Sequence, residues 1–262
     1  MFRIALIAIL ILFYPFFDLV ADDLSWSLDS VDSAGLTVDG EVTVASGVAN
    51  SSVVFDGVSL IKVNDSQNLT AGDAGFTMIA WVNPYVLNDQ QQMIAAKNRY
   101  SLNERQWGVM LDADNCFRLY IWQDRWVTVG CSTPPSAGHW HLIGVVVRPG
   151  NAELWVNGKL AGQAKLSFPI TQTNAPLTFG GIDDNGRIWQ NLTGALDDIY
   201  LVDKPLNADR MATLYKPVAA IHDIPKRALP FTLWTGPPIP SDVERIPFAQ
   251  NVEHRTIHRP SE

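Results

Sequence analysis

Apolar residues in this chain recur at every second position or in short unbroken runs, and Gly, Asn, Asp and Pro separate one run from the next. Between Leu24 and Asp203 no stretch sustains a helical period, so the pattern predicts a succession of short β-strands. Phe76 to Val82 places Phe76, Met78 and Ala80 on one face and Thr77, Ile79 and Trp81 on the other, before Asn83-Pro84 ends the strand. Trp140 to Val147 is apolar for nearly its whole length, as expected of a strand covered on both sides. Asn157-Gly158 is the strongest turn signal, because a type I′ turn needs positive φ at both central positions. It predicts a hairpin with Val156 opposite Lys159 and Trp155 opposite Leu160. Many strands at this spacing indicate a two-sheet antiparallel sandwich, an all-β fold.

The stretch Leu192–Tyr215 closes the fold. From Ala195, alternation puts Ala195, Asp197, Ile199 and Leu201 on one face and Leu196, Asp198, Tyr200 and Val202 on the other. Both faces are mostly apolar, so one carboxylate must lie where hydrocarbon is expected, at a cost of several kcal/mol unless it is paired, hydrogen-bonded or metal-bound. Past the Pro205 turn, Asn207 caps a helix of about two turns through Met211 and Leu214. The segments Asn98–Gln106 and Ile182–Gln190 read as polar loops.

Two cysteines flank a hairpin. If Gln123-Asp124 forms a two-residue turn, Cys116 faces Cys131 and Tyr120 and Trp122 share a face with Val127 and Arg125. A disulfide between them would stabilise by about 3 kcal/mol in the chain-entropy model; two reduced core thiols are the alternative.

Several short runs occur in a recognisable order: Val54-Phe55-Asp56-Gly57, Phe76 to Val82, Trp140-His141-Leu142, Leu154 to Gly158, Leu177 to Gly181, and Gly194 to Asp198 leading to Leu214-Tyr215. Together they resemble the laminin-G-like, concanavalin-A-like jelly rolls over about Leu24 to Tyr215. Asn157 departs from the pattern, which more often has Asp there. The resemblance implies a jelly roll of two antiparallel sheets with one short C-terminal helix. It implies a non-catalytic module for carbohydrate or protein binding, often with a structural calcium ion.

Composition narrows the setting. The chain has 262 residues, a formal net charge of −8 and 18% charged residues. It lacks a basic stripe, which argues against a nucleic-acid partner. Met1 to Ala21 reads as a secretory signal peptide, with an uncleaved membrane anchor as the alternative, and no later segment is apolar enough to span a bilayer after cleavage. The expected location is outside the cytoplasm, either secreted, periplasmic or at the cell surface. The reading divides the chain into 1–21, a jelly-roll domain at 22–216, and 217–262. That last segment is an extended Pro-rich tail or the start of a second domain, and Val243 to Glu262 resembles the lead-in to sialidase-type propellers.

The chemistry expected is binding. Glucanases that share the jelly roll carry a Glu-x-Asp-x-x-Glu strand that supplies nucleophile and acid, and this chain has no such run. Calcium takes six to eight oxygens from carboxylates, amides and carbonyls. Asp197 is the first expected ligand and Asp56 a partner; Asp183 and Asp184 offer an alternative surface site. A carboxylate hydrogen-bonded between two loops is the competing reading of Asp197. Sugar recognition needs flat rings beside polar groups, and Tyr100, Trp107, Tyr120, Trp122, Trp126 and Trp189 are the candidates. Trp81, Trp140 and Trp155 are expected in the core. The partner is then a glycan, or alternatively an extracellular protein; an accessory role beside a glycoside hydrolase domain outside these residues is a further reading.

Overall fold

Burial follows the alternation wherever a strand has one open face. In Phe117–Trp122, Phe117, Leu119 and Ile121 are buried while Arg118, Tyr120 and Trp122 are partly exposed. Phe76–Pro84 is buried at every position, as a central strand covered on both sides must be. These features come from a computed structural model, which describes residues 24–31, 35–66, 69, 74–131, 133–167 and 169–215. The expected signal segment 1–21 and the Pro-rich segment 217–262 lie outside the described residues.

In chain order the strands are β1 (Leu24–Trp26), β2 (Leu36–Asp39), β3 (Val42–Ser46), β4 (Ser51–Asp56), β5 (Leu60–Val63) and β6 (Phe76–Pro84). There follow β7 (Gln92–Arg99), β8 (Glu104–Leu111), β9 (Phe117–Trp122), β10 (Trp126–Gly130), β11 (His141–Arg148) and β12 (Asn151–Val156). The last are β13 (Lys159–Lys165), β14 (Leu177–Phe179), β15 (Ile182–Asp184), β16 (Arg187–Trp189) and β17 (Thr193–Val202), before helix α1 (Ala208–Leu214). One sheet runs β13-β12-β11-β6-β17-β4-β3, with β1 also paired to β17, and the other runs β10-β9-β8-β7-β14-β5-β2. All pairings in both sheets are antiparallel. The expected all-β jelly-roll sandwich is therefore the fold.

Between the sheets lies one apolar layer that includes Phe55, Phe76, Trp107, Phe117, Phe179 and Leu196. A second apolar cluster covers the outer face of the β6 sheet, where Trp81, Trp140 and Trp155 pack under Met211 and Leu214 of α1. Burying the two helix side chains contributes about 1.5–3 kcal/mol each. A Cβ on Gly144 would come within 2.1 Å of the Met211 methyl, so the helix can seat only over glycine there. Asn207 caps the helix by accepting the Arg210 N–H at 2.9 Å. The Asn157-Gly158 turn has φ of 52° and 72°, and sets Val156 opposite Lys159 and Trp155 opposite Leu160 as expected.

Three local expectations are corrected. Asn98–Gln106 is not an extended loop: β7 runs to Arg99 and β8 starts at Glu104, leaving a short turn. Ile182–Gln190 folds as the hairpin β15-β16 around Asn185 and Gly186, both at positive φ. Finally, the alternation of β17 breaks. Asp197 faces Trp81, but Tyr200 faces Ile79, so one residue is extra and Asp198 takes φ 45°. Beyond the bulge Ile199 joins the inter-sheet core with Leu196, instead of sharing a face with Ala195 and Asp197.

Candidate functional site

The hairpin β9-β10 decides which side chains stand together. Its loop has three residues, not two: Gln123 N–H donates to Arg125 O at 2.8 Å and Asp124 has φ 61°. Trp122 consequently faces Trp126 and Tyr120 faces Thr128. The register expected from a two-residue turn, with Trp122 opposite Arg125, is off by one position, and a one-residue shift moves every side chain of a strand to the other face. Trp126 is thereby brought onto the outer face beside Tyr120 and Trp122.

Around Trp126 an array forms. Its ring lies 5.1 Å from Trp122, 6.1 Å from Tyr120 and 6.1 Å from Tyr100, all edge-on. Tyr100 in turn meets Trp189 at 5.1 Å. Three separate parts of the chain contribute: the β7-β8 turn, the β9-β10 hairpin and the β15-β16 hairpin. Trp189 is carried there because Ile182 packs against Met93, Ala96 and Met110 on the outer face of the β7 sheet. All five rings are partly exposed. Trp107 is the exception among the six expected ligand residues. It points inward, is 3% exposed and packs against Phe76 at 5.3 Å, because on β8 it shares the core face with Val109 and Leu111 while Gly108 and Met110 face out. It is a core residue.

Polar groups edge the array. Tyr120 Oη donates to Asp112 at 2.5 Å, and the Arg118 Nε lies 3.0 Å from the same carboxylate oxygen. Burial, and then the bond to Asp112, push the Tyr120 phenol well above its ordinary range, so it remains a neutral donor. Gln91 also donates to Asp112 at 2.9 Å. Arg105 stands over the Trp122 ring at 4.9 Å and the Tyr100 ring at 5.8 Å, and Arg187 over Trp189 at 5.6 Å. Nothing local in the sequence singled out Arg105 or Arg187. The Asp-Asn-Gly turn at Asp184–Gly186 was a readable signal for the β15-β16 hairpin.

At the other sheet, Asp197 is fully buried. It sits where the edge of β17 changes partner: β4 pairs with β17 up to Leu196 and β1 from Ile199. In that gap the Asp197 Oδ2 accepts the N–H groups of Val48 at 2.7 Å and Ala49 at 3.3 Å. Its Oδ1 has no partner among the described residues. Gly47 must lack a Cβ, which would lie 2.4 Å from Oδ2. Burial, then the neighbouring Asp198 charge, raise the Asp197 carboxyl to about 8. Burial and the charge of Asp29 raise Asp198 to about 6. The orphaned Oδ1 beside the Asp198 carboxylate is the one feature here that a cation could use; among the described residues no group of three or more His, Cys, Asp or Glu side chains gathers around it, so carbonyl oxygens would have to complete any coordination shell. Asp56 is not part of this place. It lies three positions along β4 from Val53, about 10 Å at the usual rise, faces Thr193, and accepts its own turn's Val58 N–H at 3.0 Å. Asp183 bonds Gly186 N–H and Lys62, and Asp184 bonds Ser101 N–H.

Cys116 and Cys131 are free thiols. In the corrected register Cys131 donates its N–H to Phe117 O at 3.0 Å, so the two cysteines do not face each other directly. They remain neighbours: burial first, then the hydrogen bond with Cys131, push the Cys116 thiol up to about 12. Lys97, unremarked in the sequence, is 2% exposed and donates to the carbonyls of Ser66 at 3.0 Å and Ala175 at 2.7 Å. Burial lowers it to about 8. It ties the sheet to two connections and takes no part in the array.

With this geometry in place, comparison with known proteins adds the following. A family model described as the concanavalin A-like lectin/glucanases superfamily matches residues 55–212. No curated protein matches by sequence. Among solved structures, domain 4 of AbnA, a GH43 extracellular arabinanase from Geobacillus stearothermophilus in complex with arabinotriose, is similar with a TM-score of 0.58 and 19% identity, over 73% of this chain and 97% of that domain. The binding domain of Paraclostridial Mosquitocidal Protein 1 follows at TM-score 0.54 and 16% identity, over 68% of this chain and 46% of that one. The binding domain of botulinum neurotoxin DC in complex with rat synaptotagmin II has a TM-score of 0.53 and 18% identity, over 68% and 46%. The chain thus spans about half the length of the toxin domains and nearly all of the arabinanase domain. No helix among the described residues is long and apolar enough to cross a membrane.

Proposed function

The chain belongs to the concanavalin A-like lectin/glucanases superfamily, and on that premise we propose that it is a secreted, non-catalytic module that binds carbohydrate on the outer face of the β7 sheet. The single observation that carries this reading is the convergence of Tyr100, Tyr120, Trp122, Trp126 and Trp189 from three separate chain segments into one partly exposed array. Sugar C–H faces stack on such rings, while amide and carboxylate groups at the edge take the hydroxyls. The likeness to a domain described in complex with arabinotriose, matched over 97% of its length, supports the reading. A glycan array probed with the parent protein and with Trp126→Ala tests it: hits lost in the variant are expected. Hits kept unchanged would move the site elsewhere. No hits at all, with and without chelator, would favour a protein partner of the kind named for the neurotoxin domain.

The same proposal places a structural calcium ion at Asp197 with Asp198. Bound there, the ion would neutralise carboxylates that burial otherwise forces toward protonation, and would join the Gly47–Ala49 turn to β17. It supplies stability and no reaction step. A second reading is favoured by the arabinanase match, which is to one domain of a larger enzyme. In that case the module holds a catalytic domain at its substrate, and the coding sequence past Glu262 would show it.

A further inference from the structure

Charge on the aromatic face is distributed unevenly. The chain is acidic, at −8, and most cations on the outer face of the β7 sheet are spent on carboxylates: Lys62 on Asp39 and Asp183, and Arg118 on Asp112 and Asp114. At the end of β7, Arg99 pairs with Glu104. The two arginines that stand over the rings differ. Among the described residues neither Arg105 nor Arg187 has a carboxylate within ion-pair distance.

Arg105 is held in place without being neutralised. It donates to Asn103 Oδ1 and, at 3.4 Å, to Tyr100 O, both uncharged acceptors. The ring faces of Trp122 and Tyr100 brace its guanidinium plane. A guanidinium carries five N–H donors, so two neutral bonds leave part of the fork unused beside Trp122 and Tyr100. Asp184, the carboxylate that acts electrostatically on Tyr100, is engaged by the Ser101 N–H at 2.7 Å. A preformed, unneutralised fork between stacking rings is complementary to an oxyanion attached to a sugar ring, since carboxylate and sulfate both accept two parallel N–H bonds. A neutral glycan offers that fork single hydroxyl and ring oxygens, whereas an oxyanion meets both its geometry and its charge.

We infer that the array recognises acidic glycans, with Arg105 donating to the carboxylate or sulfate of a sugar whose ring stacks on Trp122 or Trp126. The inference rests on the proposal that this face binds carbohydrate.

Calorimetry with three probes tests it: oligogalacturonate, the same oligosaccharide after its carboxyls are reduced to alcohols, and a carrageenan oligosaccharide, which carries sulfate and no carboxylate. The variants are Arg105→Gln, Arg105→Lys and Trp126→Ala, each checked for an unchanged melting temperature. The parent is expected to bind an acidic probe at least about tenfold more tightly than the carboxyl-reduced one, the margin of one charge-assisted hydrogen bond. Arg105→Gln should remove that margin and flatten the salt dependence, weakening the acidic probe far more than the carboxyl-reduced one. Arg105→Lys should recover only part of it, because an ammonium lacks the fork. Preference for oligogalacturonate over the carrageenan oligosaccharide identifies the anion as carboxylate, and the reverse as sulfate. Equal affinity for acidic and reduced probes, or equal weakening of both in Arg105→Gln, overturns the acidic-glycan inference and leaves the carbohydrate reading standing. Probe binding indifferent to Trp126→Ala, or none to any glycan, overturns both.

Discussion

Replacing Asp197 by Asn separates the proton, the cation and the hydrogen bonds that now share one buried carboxylate. The amide keeps an oxygen to accept the Val48 and Ala49 N–H groups but cannot ionise. In the parent, the folded carboxyl sits at about 8 against an ordinary value of 3.8. Between those values the native state holds a proton that the unfolded state has released. Raising pH therefore favours unfolding, and stability is lost from pH 4 until it levels off above 8. Asp198, raised to about 6, adds to the loss at the acidic end of that window, so pH 6 to 8 isolates Asp197. Integrated over those two pH units, the parent should lose about 2 kcal/mol more than the variant. That is a widening gap of about 4–8 °C in melting temperature for a domain of this size. His141, lowered by burial, and Lys97 titrate in both proteins and cancel in the difference. The assay is urea unfolding in chelator, followed by tryptophan fluorescence at pH 6, 7 and 8. Calcium at 100 times its Kd should add about 2.7 kcal/mol to the parent and nothing to the variant. Parallel pH profiles for the two proteins would refute the buried-carboxylate argument, and equal calcium responses would refute the metal assignment.

The remaining expectations concern particular side chains. Trp107→Ala should cost about 3–5 kcal/mol in unfolding free energy, since its ring fills the inter-sheet layer; Trp126→Ala should cost far less and be read instead as lost glycan binding, so the reverse ranking would overturn the inward and outward assignments. Mild oxidation of the folded protein should join Cys116 and Cys131, each thiol giving up its hydrogen to the oxidant, so that neither alkylates afterwards. Alkylation of both after oxidant would show that the neighbouring sulfurs cannot meet. Gly158→Ala, at φ 72° and with a Cβ 3.0 Å from the Ala212 carbonyl oxygen, should lower stability by about 1–2 kcal/mol, measured by the same urea titration. Asp56→Ala should leave any calcium response intact, since it stands apart from Asp197, and loss of the response would restore it as a ligand.

By itself the sequence determined whatever depends on neighbours along the chain. Strand identity follows from period-two alternation, the β12-β13 register from Asn157-Gly158, the start of α1 from the Asn207 side chain, and the sandwich from many such pieces in order. It also marked a carboxylate in β17 as misplaced among hydrocarbon. Only the tertiary structure decided how that carboxylate is accommodated. The bulge at Asp198 costs one residue of register and becomes tolerable because β4 stops and β1 begins at that point, which no local pattern encodes. The array has the same origin. A third residue in the β9-β10 loop is a small local difference, yet it turns Trp126 outward. Trp189 and Tyr100 reach it only because separate strands, distant in sequence, are stacked side by side. Alternation says that a side chain is in or out relative to its own strand; which rings share a face, and which arginine stands over them, is set by pairings between strands that carry no signature within either one.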